Sequence, residues 1–186
     1  LLQSFRPYFL ARKPLTVTTK GPSDFVTDMD IWIESKIKET LRTWFPNDTF
    51  MGEESSGTLS EKTWILDPID GTTNFMKDYH QSVISLALAE HHQVTYAWIY
   101  HPYLDEIYFA QKGRGSTLNG KPIFVSSASI EQAIFAVGSA PYIRSLSHPT
   151  MQIIEKLFTK SLDFRRSGSA AYDLACVASG RVDGFF

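Results

Sequence analysis

The chain has 186 residues, 43% of them apolar and 13% aromatic, an ordinary globular composition that excludes a disordered chain. Eighteen basic against 20 acidic residues leave a net charge of −2, so bulk nucleic-acid binding is not expected. The lone Cys176 excludes an internal disulfide framework, and no apolar run reaches the roughly 18 residues of a membrane span; the expectation is a cytoplasmic protein with no membrane partner.

Residues 1–12 read as the tail of a helix. Residues 13–22 are interrupted by prolines and rich in Thr and Val, and read as an extended loop or short edge strand. A helix follows, capped by Thr27 or Asp28, with Asp30 in its first turn and Met29, Ile33, Ile37, Leu41 and Trp44 at helical spacing. Glu34 and Lys38 form an i,i+4 pair on it, and Pro46-Asn47-Asp48 ends it. Short strands at 49–52 and 63–66 each run into carboxylates, Glu53-Glu54 and Asp67. A meander is expected over 82–90, 94–100 and 106–111, with His91, His92 and His101 in turns or on the surface. Gly113-Arg114-Gly115 and Asn119-Gly120 are turn signals. The remainder reads strand 134–138, helix 150–160, strand 162–165, helix 170–179 stopped by Gly180, and strand 182–186. Arg165 and Arg166 are expected at a solvated strand end, and Cys176 as a small core residue. Strand runs between small groups of helices argue an α+β layering rather than a doubly wound sheet. A composition shift at 126–129 divides an N-terminal α+β half, 1–125, carrying the metal site, from the start of a C-terminal α/β half, 126–186.

The chemistry concentrates in Asp24/Asp28/Asp30, in Glu53/Glu54, and in Asp67-Pro68-Ile69-Asp70-Gly71-Thr72-Thr73-Asn74. The apolar Trp64-Ile65-Leu66 places Asp67 at the carboxyl end of a buried strand, where ligands gather in sheet proteins. Asp70 returns three residues later, the Ile69 carbonyl lies between the two, and Gly71-Thr72-Thr73 offers backbone N–H groups to an anion. Hard oxygen ligands beside an anion site suit magnesium-assisted phosphate chemistry, because Mg²⁺ takes few carboxylates and shares substrate phosphate oxygens. Asp-Pro and Asp-Gly are also common turn dipeptides, so a solvated turn is the competing reading.

The block from Trp64 through Asp67-Pro68-Ile69-Asp70-Gly71-Thr72-Thr73-Asn74 to Phe75, with Gly52-Glu53-Glu54-Ser55 before it, resembles the inositol monophosphatase family. The resemblance reaches upstream to Lys20 and the segment from Asp24 to Asp30, and downstream to Arg166-Ser167-Gly168-Ser169-Ala170-Ala171 and Gly180-Arg181-Val182-Asp183-Gly184. It implies an αβαβα layered sandwich and a Mg²⁺-dependent, lithium-sensitive phosphomonoesterase using two or three ions. By position, it implies that Glu53, Asp67 and the Ile69 carbonyl bind one metal and that Asp67 and Asp70 bind a second. Glu53 would help to hold a third. Asp30 and Thr72 would orient the attacking water against Glu53, and the Gly71 and Thr72 amides would cradle phosphate. Asp70 with Gly168, Ser169 and Ala170 would meet the hydroxyls of a small phosphorylated polyol, and Lys20 would ride on a mobile loop over the site. A homodimer is the implied assembly.

Three other readings remain open at this point. A haloacid dehalogenase-like phosphatase would use one Asp as a covalent nucleophile, but Asp67 and Asp70 are spaced for ligand convergence. Fructose-1,6-bisphosphatase, NADP phosphatase or 3′-phosphoadenosine phosphatase activity would use the same metal motif. Bacterial members of the family also have roles with the transcription machinery. The family pattern continues past the final strand with a substrate-contacting Glu and a Trp-Asp that completes the second metal site. The natural protein is therefore expected to extend several tens of residues beyond Phe186.

Overall fold

A computed structural model describes residues 1–11, 15–21, 23–55 and 57–186; the expectation of an extended segment at 12–14 and 22 lies outside them. A 3₁₀ turn, Leu2–Phe5, leads into helix α1 (Arg6–Leu10), whose Phe9 is buried with Leu2 and Phe5. Strand β1 (Val17–Gly21) pairs antiparallel with β2 (Asp24–Thr27), a strand the sequence reading did not foresee. Helix α2 (Asp28–Trp44) starts in a capping box: Thr27 receives the Asp30 amide while the Asp30 carboxylate receives the Thr27 amide. Its inward face is Ile33, Ile37 and Leu41, whereas Trp44 is 57% exposed, because the stripe turns off the core by the last turn.

Seven strands form the main sheet: β3 (Thr49–Gly52), β4 (Lys62–Asp70), β5 (Val83–Glu90), β6 (Gln93–His101), β7 (Glu106–Gln111), β8 (Gly115–Leu118) and β9 (Lys121–Ile123), adjacent in that order. Only β3 and β4 run parallel; β5 pairs antiparallel with β4 across a connection that contains a short helix, and the later neighbours are hairpins joined by short turns. β4 is longer than expected, since it runs through Pro68 to Asp70. A short helix, α3 (Thr72–Met76), follows it.

One face of this sheet packs Trp64, Leu66, Ile69, Ile84, Leu86, Leu88 and Tyr100 onto the buried stripe of α2 and the N-terminal segment. Burying each such side chain contributes about 1.5–3 kcal/mol. On β6, successive residues face opposite ways: Tyr100 enters this core, while His101 turns to the other side and meets Tyr172.

Tyr172 belongs to helix α5 (Ala170–Ala178), which covers the second face. Beyond α5 lies a three-stranded parallel sheet in the order β11 (Asp163–Arg165), β10 (Ile134–Ala136), β12 (Gly184–Phe185). Ala136 of β10 packs there with Val182 and Cys176, which is buried as expected. The outermost layer is α4 (Ser147–Lys160), whose Phe158 ring meets Phe164 of β11 edge to face. The layers therefore run helix, sheet, helix, sheet, helix, an α+β sandwich. Among the described residues no helix is long and apolar enough to cross a membrane.

Candidate active site

Parallel pairing puts Gly52 of β3 beside Leu66 of β4, so the residues that follow them, Glu53 and Asp67, fall at the same end of the sheet. The Glu53 amide continues the ladder by donating to the Leu66 carbonyl at 3.0 Å, which delivers Glu53 next to Asp67. The Asp67 carboxyl lies against Glu53 and in the field of Asp70; burial first, then these two like charges, hold it well above the ordinary carboxylate value.

Pro68 has no N–H for the ladder, and the β4–β5 register skips from Asp67↔Ser85 to Asp70↔Val83. The resulting irregularity tucks the Ile69 side chain into the core. Asp67 Oδ1 accepts from the Ile69 amide at 3.1 Å. The Ile69 carbonyl receives the Thr72 hydroxyl at 3.1 Å, and the same hydroxyl stands 3.3 Å from Asp30 Oδ1. Asp30 Oδ2 is held by the Thr27 amide at 2.8 Å and the Thr27 hydroxyl at 2.5 Å. Burial, opposed by these hydrogen bonds, pushes the Asp30 carboxyl up to about 6.

Gly71 makes the turn between β4 and α3 with φ +94°, and a Cβ there would stand 2.8 Å from the Gln81 carbonyl. No other residue meets both conditions without displacing the chain. Ser82 donates to the Gly71 carbonyl at 2.9 Å and fixes the turn from below.

Asp70 faces the second sheet. Its Oδ2 accepts from the Ser169 hydroxyl at 2.6 Å and the Ala171 amide at 2.7 Å, so its charge sits at the positive N-terminal end of α5. Gly168, Ser169 and Ala170 thus stand beside Asp70 and line, with it, a cavity of about 400 Å³. Arg166 lines the same cavity and donates to Ser139 at 3.0 Å, so it is not merely a solvated strand end. Lys20 on β1 pairs with Glu54 at 2.5 Å and ties the β1–β2 hairpin to the site's rim.

The structure brings Asp30 to Thr72, Glu53 to Asp67, and Asp70 to Ser169. Among the described residues no three His, Cys, Asp or Glu side chains form a closed cage, because Asp70 is drawn to the cap of α5. The donor set nevertheless fits Mg²⁺: two carboxylates in contact, a third nearby, and oxygens alone, for an ion that keeps water and phosphate in its shell.

Other expectations are corrected. Glu34 does not pair with Lys38: it is buried and receives the Glu54 amide, while Lys38 reaches Ser55. His101 is neither in a turn nor at the surface but fully buried, whereas His91 and His92 are exposed turn residues. Asn74 was given no role in the sequence, yet its amide donates to Gln81 at 2.6 Å and to Ser167 at 2.9 Å, clamping α3 to the segment that carries Ser169. A polar residue one position before the buried Phe75, inside the conspicuous block, was the available signal.

A sequence profile of the Inositol monophosphatase family matches residues 3–186. The protein named Nus factor SuhB in Salmonella typhimurium is 42% identical over 171 residues, covering 90% of this chain and 64% of its own length. The chain thus spans a little under two thirds of such curated relatives. A solved IMPase from Thermotoga maritima is 34% identical with a TM-score of 0.90, over 99% of this chain and 72% of that one. A solved IMPase/NADP phosphatase complexed with Mg²⁺ and phosphate is 26% identical with a TM-score of 0.81, over 97% of this chain and 67% of that one. On the profile match, the sandwich fold and these likenesses, the chain belongs to the inositol monophosphatase family.

Proposed function

We propose that the protein is a Mg²⁺-dependent phosphomonoesterase acting on inositol 1-phosphate or a similar small polyol phosphate, as a cytoplasmic homodimer. The observation that carries this is the contact of Glu53 with Asp67 beside the Thr72–Asp30 hydrogen bond, at the edge where β3 and β4 end. Glu53, Asp67, Asp70 and the Ile69 carbonyl would hold two or three ions. Mg²⁺, when bound, supplies Lewis-acid charge to the phosphate oxygens and lowers the pKa of water. Asp30 Oδ1 accepts a hydrogen bond from the Thr72 hydroxyl, which leaves the Thr72 Oγ1 lone pairs to orient water, and Glu53 accepts the water's proton. The Gly71 and Thr72 amides receive the phosphate, while Asp70 and the backbone of Gly168, Ser169 and Ala170 face the polyol. Lys20, through Glu54, closes the β1–β2 hairpin on the rim. The division at residue 125 is proposed as the seam, with the metal ligands on 1–125 and Gly168, Ser169 and Ala170 on 126–186. The likeness to an IMPase/NADP phosphatase complexed with Mg²⁺ and phosphate supports the reading.

The test is single-turnover hydrolysis of inositol 1-phosphate in ¹⁸O-labelled water, with and without Mg²⁺. Label in the released phosphate only with Mg²⁺, and loss of turnover on adding Li⁺, are expected. A phosphoenzyme trapped on Asp67 would overturn direct water attack. A substrate panel with fructose 1,6-bisphosphate, NADP and 3′-phosphoadenosine phosphate would assign the alternative activities of the same site. A second reading, a role with the transcription machinery, is favoured by the 42% identity to a protein named Nus factor SuhB. Binding to RNA polymerase that persists in a catalytically dead Asp67→Asn variant would establish it.

A further inference from the structure

Helix α2 presents three polar residues at a spacing of four, Asp30, Glu34 and Lys38, and each reaches a segment of the site. Asp30 meets Thr72 at 3.3 Å, Glu34 receives the Glu54 amide at 2.9 Å, and Lys38 stands 3.4 Å from the Ser55 hydroxyl. Asp30 and Glu34 are both buried carboxylates, 1% and 4% exposed, on a helix whose other buried residues are Ile33, Ile37 and Leu41. Charged side chains are retained in such places when they hold something specific.

What Glu34 holds is the turn that carries Glu53. Two consecutive amides of that turn are fixed from opposite sides: Glu53 N–H by the Leu66 carbonyl of the sheet, Glu54 N–H by Glu34 of the helix. The peptide between them cannot rotate without breaking one bond, so the Cα–Cβ direction of Glu53 is set. Gly52 completes the cradle, because a Cβ there would run into the Glu34 carboxylate. The Glu54 side chain pairs with Lys20, while Glu53 lies against Asp67.

We propose that Glu34 is a positioning residue that aims the Glu53 carboxylate at the metal site through the Glu54 amide. The inference rests on the metal-site reading above and adds to it a residue outside the ion's own ligands. It concerns placement rather than charge, so the acceptor oxygen must stand where it does.

Mn²⁺, a hard cation that takes the same oxygen ligands, is the probe, and its binding is read from the loss of the free-ion paramagnetic resonance signal without substrate. Glu34→Asp keeps the charge but withdraws the oxygen by one methylene, and is expected to weaken binding about 10–100-fold, the usual effect of losing a group that orients a ligand. Glu34→Gln keeps an oxygen at full reach and is expected to stay within about threefold of the natural protein. Gly52→Ala displaces the same turn from the other side and is expected to weaken binding as Glu34→Asp does, so the inference is decided even if Glu34→Asp fails to fold. Metal-free thermal unfolding checks that each variant is folded. Unchanged Mn²⁺ affinity in folded Glu34→Asp and Gly52→Ala would overturn this inference alone, as would weakening by Glu34→Gln equal to that by Glu34→Asp. Absence of Mn²⁺ binding by the natural protein would overturn the metal-site reading and this inference with it.

Discussion

The two sheets of this molecule are built differently. The seven-stranded sheet lies on α2, which buries Ile33, Ile37 and Leu41, and on an N-terminal segment that adds Leu2, Phe5 and Phe9. The three-stranded sheet is covered on its outer side by α4, of similar length, which buries no residue and leaves Met151 56% and Phe158 57% exposed. The proposed metal carboxylates stand on the closely packed side, at the ends of β3 and β4. The second sheet contributes to the site mainly through α5, whose cap hydroxyl and Ala171 amide engage Asp70. Charge is thus fixed by a rigid core, and the surface that meets a substrate is delivered by a helix end. Rigid elements hold reacting groups better than loops do, so the division suits a site needing fixed ligands and an adjustable pocket.

The largest expected effect breaks the charged side of that comparison. Asp67→Asn removes the carboxylate that touches Glu53 and faces Asp70, and activity should be abolished while the fold remains. The fold should even gain, because a buried like-charge contact is relieved. Far-ultraviolet circular dichroism with a phosphate-release assay checks both. Thr72→Ala leaves every metal carboxylate in place and removes only the hydroxyl between Asp30 and the Ile69 carbonyl, so turnover should fall roughly 10²–10⁴-fold. Equal, small effects of the two would contradict the roles assigned.

Next comes packing. Ile33 is fully buried in α2, and Ile33→Ala should cost about 2–5 kcal/mol. Ile153 of α4 is 37% exposed, and Ile153→Ala should stay within about 1 kcal/mol. Denaturant unfolding of the two variants measures the contrast directly. Similar losses would mean that α4 is as well anchored in solution as α2.

The link between the two sheets is weaker and should be separable. Ser169→Ala removes both the side-chain cap of α5 and one of the bonds on Asp70. A cost of about 0.5–2 kcal/mol is expected, as for a lost N-cap. The Ala171 amide still holds Asp70, so metal binding should change less than in Asp67→Asn.

Much of this site was legible because its signals are local. Asp67, Ile69, Asp70 and Gly71 lie within five residues, and proline and glycine announce the irregular strand end and the turn. Most of the strands and the two longer helices also follow from period and turn residues. What could not be read is what a neighbour in space decides. Glu34 sits at a spacing that suits a surface pair with Lys38 equally well, and only the packing of β3 against α2 buries it. β2 was hidden because its acidic and β-branched residues look like a helix start, and only its pairing with β1 makes it a strand. His101 ends a strand beside a turn, and nothing nearby in sequence shows that α5, some seventy residues on, will cover it.

His101 supplies an effect confined to a narrow pH window, and it tests how firmly α5 closes on the main sheet. The ring is fully buried with its edge toward Tyr172 at 4.6 Å. Its Nδ1 receives only the Leu104 amide, at 3.3 Å, and its Nε2 has no partner among the described residues. Burial, against the pull of Glu106, pushes its pKa down from 6.5 to about 4. The unfolded chain therefore binds a proton at this position throughout that window while the folded one does not. Stability from this group is full above 6.5 and is lost as pH falls toward about 4. Asp30, whose pKa is raised to about 6, acts in the opposite direction over an overlapping range, so the total stability curve will not isolate either group. The difference between the natural protein and His101→Phe will, since Phe keeps an aromatic ring against Tyr172 and cannot titrate. The variant should gain up to about 3 kcal/mol relative to the natural protein across that window, read from denaturant unfolding at its two ends. Parallel curves at both pH values would mean that the imidazole reaches water, and that α5 does not seal this face.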